Sequence, residues 1–122
     1  MGPGFDRCNL LEVALADVQA HAGEGRIQFA RIAEAGALRG GCNFIDYAEV
    51  PPGASIGRHR HGDDEEELYL ILDGNGQMWR NGESFAVRAG DLVRNPPGGE
   101  HGLRNTGTTL LRLFVFELQV AQ

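Results

Sequence analysis

The sequence predicts an all-β fold, a sandwich or barrel of about eight to ten short strands. Three observations carry this. Glycine is abundant, at 18 of 122 residues. The apolar runs are short and mostly alternate in period two, and turn residues separate them every several positions. A chain of this length suits one domain able to bury a core without disulfides or a structural metal.

The elements follow in order. Residues 1–8 (MGPGFDRC) read as a loose start. Residues 9–22 carry two readings. Leu11, Ala14, Leu15 and Val18 fit a helical face, with Asn9 and Glu12 as a capping box. Val13 and Leu15 fit a short edge strand equally well. Gly23 and Gly25 then break the chain, so 1–25 is read as an N-terminal extension and 26–122 as the barrel domain. Residues 27–32 form a candidate strand. In residues 42–50, Phe44, Ala48 and Val50 share a face that Asp46 interrupts, and Pro51-Pro52-Gly53 ends the run. Residues 68–72 and 113–116 are apolar on both faces. Between them lie shorter runs at 77–80, 84–87, 91–95 and 101–105. Asn81-Gly82 is a hairpin signal, and Gly74-Asn75-Gly76 reads as another hairpin turn. Strands apolar on both faces need outer cover, from the N-terminal segment or from a second subunit in a homodimer.

Composition excludes several function classes. Net charge is −6, which disfavours a nucleic-acid backbone as partner. All 11 basic residues are arginine, so lysine Schiff-base chemistry and a P-loop are excluded. No apolar stretch approaches bilayer length, which argues against a membrane partner. No basic segment followed by an apolar run opens the chain, so a cytoplasmic location is expected. Cys8 and Cys42 lack CxxC spacing and read as buried thiols rather than a disulfide framework.

The chemistry gathers around three histidines. In Arg58-His59-Arg60-His61, period-two geometry points both imidazoles one way and both guanidinium groups the other. Two imidazoles at i and i+2 can reach one metal ion, although a bare HxH is a weak motif. The acidic run 63–67 reads mostly as a solvated loop entering the next strand. Within that strand Glu67, Tyr69 and Ile71 share one face, and Leu68, Leu70 and Leu72 the other. Glu67, if it faces inward, adds an oxygen ligand. His101 follows the turn Pro96-Pro97-Gly98-Gly99-Glu100. Three imidazoles and one carboxylate suit a single divalent transition metal ion (Mn, Fe, Ni, Co, Cu or Zn) better than Ca or Mg. On an octahedral ion they leave two positions open, as a catalytic metal requires.

These residues resemble the two signature motifs of the cupin superfamily. Gly53, five residues, His59-Arg60-His61, a short loop, Glu67 and Gly74 are similar to the first. Gly90, Pro96, Gly98, His101 and Asn105 match the second at every spacing. The short gap between Gly74 and Gly90 resembles that of compact single-domain cupins of the conserved-barrel type. One departure is the loop after His61, which is longer than the motif's. Counting from the histidines picks Glu65 or Glu66, whereas counting back from Gly74 picks Glu67. The second count is preferred because a strand fixes register while a loop absorbs an insertion.

The resemblance implies a double-stranded β-helix, or jelly-roll barrel, with the metal inside near one mouth. It also implies a small polar or anionic ligand completing the coordination. The family spans decarboxylases, dioxygenases, lyases and isomerases, and Glu67 doubles as a proton-transfer group in some relatives. A metal-dependent enzyme is therefore one expectation, and a non-catalytic metabolite-binding module the other. Tyr69 and Trp79 are candidate pocket residues, and Tyr69 is a candidate proton donor or substrate contact. A core role for the Tyr69 ring is the competing reading. Gly90, Pro96, Gly98 and Asn105 read as turn-setting. The run Gly53-Ala-Ser55-Ile-Gly57 matches a nucleophile elbow in letters only, because no helix pattern follows it.

Overall fold

The computed structural model describes residues 6–120; residues 1–5 of the expected loose start lie outside the described residues. Ten strands and no helix occupy the described part. They are β1 (Ala16–Val18), β2 (Ile27–Ala33), β3 (Cys42–Val50), β4 (Ser55–Arg60), β5 (Glu65–Asp73), β6 (Asn75–Arg80), β7 (Glu83–Arg88), β8 (Leu92–Asn95), β9 (Glu100–Asn105) and β10 (Leu111–Gln119). They form a six-stranded sheet in the order β1-β2-β3-β10-β5-β8 and a four-stranded sheet in the order β4-β9-β6-β7. All the strand pairings are antiparallel, and the two sheets face each other as a jelly roll.

Alternation decides what fills the barrel. Ile71 and Leu113 come from the larger sheet, Met78 and Leu103 from the smaller, and all four have no exposed surface. Each such side chain contributes about 1.5–3 kcal/mol through burial. At the open end the same inward positions turn polar. Across the larger sheet, one row reads Phe44, Glu117, Glu67, Asn95 and the next Arg31, Asp46, Val115, Tyr69, Val93.

Several local readings hold and others are corrected. Asn81 and Gly82 have φ of 50° and 83°, as the β6–β7 hairpin turn demands. Gly74-Asn75-Gly76 is not a hairpin, because β5 and β6 belong to different sheets. Gly74 is instead where the chain crosses between them: its φ is 89°, and a Cβ there would stand 2.5 Å from the Leu110 carbonyl oxygen. Asn9 starts a single turn, accepting from the Leu11 amide at 2.8 Å, and the segment then enters strand β1 rather than a helix. The pairing of β1 with the edge of β2 stabilises that choice. The acidic run is part strand, since β5 begins at Glu65. Cys8 is exposed and Cys42 half-buried, so the thiols are free but not buried.

Outer cover is partial. Tyr47 is fully buried beneath the N-terminal segment around residues 8–11. Leu68, Leu70, Phe114 and Phe116 are half-buried, and Leu72 and Leu92 are exposed.

Candidate metal centre

Strands β4, β5 and β9, with the first residue past β4, bring His59, His61, Glu67 and His101 together, one ligand atom from each lying within 4.8 Å of the others. His59 and His101 are direct partners across the β4–β9 ladder. The turn that delivers His101 is tied to the HxH segment. The Gly98 amide donates to the Gly62 carbonyl at 3.0 Å, and the His61 amide to the Gly99 carbonyl at 3.2 Å.

Glu67 is 4% exposed, and its Oε1 lies 2.8 Å from His101 Nε2 and 3.4 Å from His61 Nε2. Glu66 points outward and pairs with Arg94. Glu65 is partly exposed and accepts from the Gly62 amide at 2.9 Å. Counting back from Gly74 thus identifies the carboxylate that meets the imidazoles.

The electrostatics suit a cation. Burial would raise the Glu67 carboxyl, but the hydrogen bond with His101, and the close approach and charge of both His101 and His61, bring it down to about 2. Burial lowers His59 to about 4. Its Nδ1 lies 2.8 Å from the Gly57 carbonyl, which can only accept. Nδ1 therefore carries the hydrogen and Nε2 keeps a free lone pair. The nearby Glu67 carboxylate raises His61, against the effect of its burial. His61 Nδ1 lies 2.9 Å from Glu117 Oε1, and Asn43 donates to the other oxygen of Glu117 at 3.0 Å. His61 Nε2 is buried and, at ion-pair distance from Glu67, makes no hydrogen bond. An orphaned buried nitrogen aimed among two imidazoles and a carboxylate fits a transition-metal ion. His61, Glu65 and Glu117 form a second group of close donors. It shares His61 and is partly exposed, so it is better read as support that orients that ring.

Four features escaped the sequence reading. The ring of His21 stacks on His59 with centroids 3.5 Å apart and planes at 8°. Its position depends on a parallel bridge between Ala20 and Ile56. A Cβ at Gly57 would stand 1.9 Å from the His21 carbonyl oxygen, so only glycine allows the approach. Arg31 clamps Asp46 at 2.8 and 3.0 Å, which places the interrupting charge of β3 on the inner face with a partner. Glu117 stands behind His61, as above. Asn95, opposite Glu67 in the β5–β8 ladder, has both side-chain polar atoms buried without a partner. No local sequence signal pointed to any of these, although Asp46 stood out as a charge interrupting an apolar face.

The centre opens into a cavity of about 410 Å³ lined by Gln19, His21, His59, His61, Glu67 and Tyr69, by the Arg31–Asp46 pair and by apolar side chains. Tyr69 is 2% exposed and its ring meets His101 edge-on at 5.3 Å. Trp79 is not in this cavity; it faces the opposite side of its strand, under the guanidinium of Arg58. Ser55 accepts from the Glu24 amide at 2.7 Å, a structural use in place of a nucleophile's. Asn105 donates to the carbonyls of Val50 and Thr109 at 2.7 and 2.8 Å, fixing the strand end.

Comparison with known proteins agrees with the fold. The model of the family described as "Cupin domain" matches residues 46–117. An oxalate-binding protein of Thermotoga maritima is 33% identical over 87 residues, 71% of each chain. The crystal structure of a predicted oxalate decarboxylase from the same organism superposes with a TM-score of 0.86 at 27% identity, covering 92% of this chain and 97% of that one. The cupin domain of Cnp3 from Schizosaccharomyces pombe shares the fold, with a TM-score of 0.75 at 19% identity over 91% of this chain and 72% of that one.

Proposed function

The chain belongs to the cupin family, and from that premise we propose that it is a metal-dependent enzyme acting on a small polar or anionic metabolite. One divalent transition metal ion (Mn, Fe, Ni, Co, Cu or Zn) is held by His59, His61, Glu67 and His101. The observation that carries this reading is the convergence of three imidazoles and one buried carboxylate, with His61 Nε2 left unpartnered. When bound, the metal supplies Lewis-acid polarisation of a carboxylate or carbonyl.

The chain's own groups do the rest. Glu67 is the candidate proton carrier, anionic and lining the cavity. The Tyr69 hydroxyl is held far above its usual pKa, first by burial and then by the nearby carboxylates Glu67 and Asp46. It stays a neutral phenol, a donor to bound ligand and not a base. Apolar side chains from both sheets line the rest of the cavity.

Elemental analysis of the purified protein, followed by reconstitution of His59→Ala and His101→Ala, tests the ligand set. Loss of metal in both folded variants is expected; full metal content in either overturns it. A second reading, a metal-dependent binding module without turnover, is favoured by the relative named for oxalate binding. Ligand binding with no product over long incubation separates the two.

The half-buried outer face of β5 and β10 supports a homodimer, which light scattering at micromolar concentration checks. Among the described residues no helix is long and apolar enough to cross a membrane. Two unpaired thiols fit a reducing compartment such as the cytoplasm.

A further inference from the structure

The cavity is larger and more apolar than an oxalate site requires. At about 30 Å³ for each water-sized group, about 410 Å³ accommodates on the order of a dozen non-hydrogen atoms. Oxalate has six, all of them close to its two charges. Beyond the histidines the walls include Phe29, Phe44, Leu113 and Val115 from the larger sheet and Ile56 from the smaller; the polar Gln19 also lines the cavity, its amide nitrogen donating to the Gly23 carbonyl at 3.1 Å. The one cation in that part of the lining, Arg31, is held at both Nε and Nη2 by the Asp46 carboxylate. Its guanidinium lies 4.4 Å from the centre of the Phe44 ring. The pair is charge-neutral, so the far wall offers no unpaired cation to a second anionic group.

We propose that the cavity takes a monoanionic chelating acid with an apolar body: a 2-oxo carboxylate bearing a branched or aromatic side chain. Its oxo acid head lies at the histidine–glutamate centre. Its side chain lies against Phe29, Phe44 and Val115, a surface that pyruvate is too short to cover and that a distal carboxylate meets unfavourably. The inference rests on the metal-centre reading and narrows its substrate class.

The test uses the whole chain loaded with Co(II), with loading measured first. Pyruvate, 4-methyl-2-oxopentanoate, phenylpyruvate and 2-oxoglutarate share one head and differ only in body. Binding is followed by calorimetry and by the Co(II) absorption spectrum. The expected result is an affinity at least about tenfold higher for the two apolar-bodied acids than for pyruvate, with 2-oxoglutarate no tighter than pyruvate. Phe44→Ala and Phe29→Ala should each shrink that ratio. Equal affinities along the series, or 2-oxoglutarate as the tightest ligand, overturns the proposal while leaving the metal centre intact. Failure of Co(II) to load overturns the metal-centre reading itself and is seen before any acid is added.

Discussion

His21 lies face to face with His59, their ring centroids 3.5 Å apart. The N-terminal segment thus reaches the mouth of the barrel and packs a fourth imidazole against one of the three that converge there. Yet His21 contributes no atom to the close-packed donor group. His21→Ala should therefore keep metal binding, weakening it by no more than about tenfold, as expected for a group that only braces a ligand. His59→Ala should weaken it by more than about 100-fold. Competition against a chromogenic chelator measures both.

Glu117 stands 2.9 Å from Nδ1 of His61, on the side away from Glu67. A carboxylate there favours the tautomer with the hydrogen on Nδ1 and leaves Nε2 free to bind. Glu117→Gln keeps an acceptor but removes the charge. Metal affinity should fall by roughly tenfold, with the circular dichroism spectrum unchanged.

Period-two patterning explains why so much of the fold was legible. It put Glu67, Tyr69 and Ile71 on one face and His59 with His61 on another, while the Asn81-Gly82 dipeptide separately located the β6–β7 turn. The reading of the acidic run 63–67 as mostly solvated loop holds for Asp63 and Asp64, an exposed turn, and fails at Glu65 and Glu66, where charge was read as solvation. Glu65 and Glu66 are strand residues whose charges are used, Glu66 on Arg94 and Glu65 on the Gly62 amide. The hairpin reading at Gly74 failed because a positive-φ glycine serves a crossing between sheets as well as a reversal within one. His21, Arg31 and Glu117 were invisible because each acts through a neighbour distant in sequence. Local periodicity carries no information about such pairs.

The metal-free protein should lose stability in acid in two overlapping windows. His59 has a folded pKa of about 4, below its unfolded value near 6.5. The unfolded chain therefore binds the proton first, and stability falls as pH drops from 6.5 through 4. Glu67, at about 2 when folded against 4.5 unfolded, contributes stability above 4.5 that is lost as pH falls toward 2. That second contribution is on the order of 3 kcal/mol. His61, raised by Glu67, acts oppositely, its contribution fading as pH rises through its folded value. Urea midpoints from pH 8 to 3 report the sum. Glu67→Gln should flatten the lower window, and His59→Asn the upper one.

Asn95 bears the strongest mark of a residue kept for something other than stability. It is 2% exposed, and neither its amide nitrogen nor its oxygen has a partner. Leaving such groups buried and unmet costs about 1–3 kcal/mol, and native chains seldom tolerate it without a use. Its ladder partner is Glu67, so the amide sits beside the carboxylate of the candidate centre. Asn95→Val removes the unmet groups at nearly constant breadth and suits a strand. The variant should unfold at higher urea, by the equivalent of about 1 kcal/mol, in the metal-free state. It should also bind metal less tightly, because Glu67 loses a polar neighbour able to hold it in place, directly or through water. A gain in stability with unchanged metal affinity would make Asn95 a defect of packing with no part in the centre. A loss of stability would mean that water already satisfies the amide.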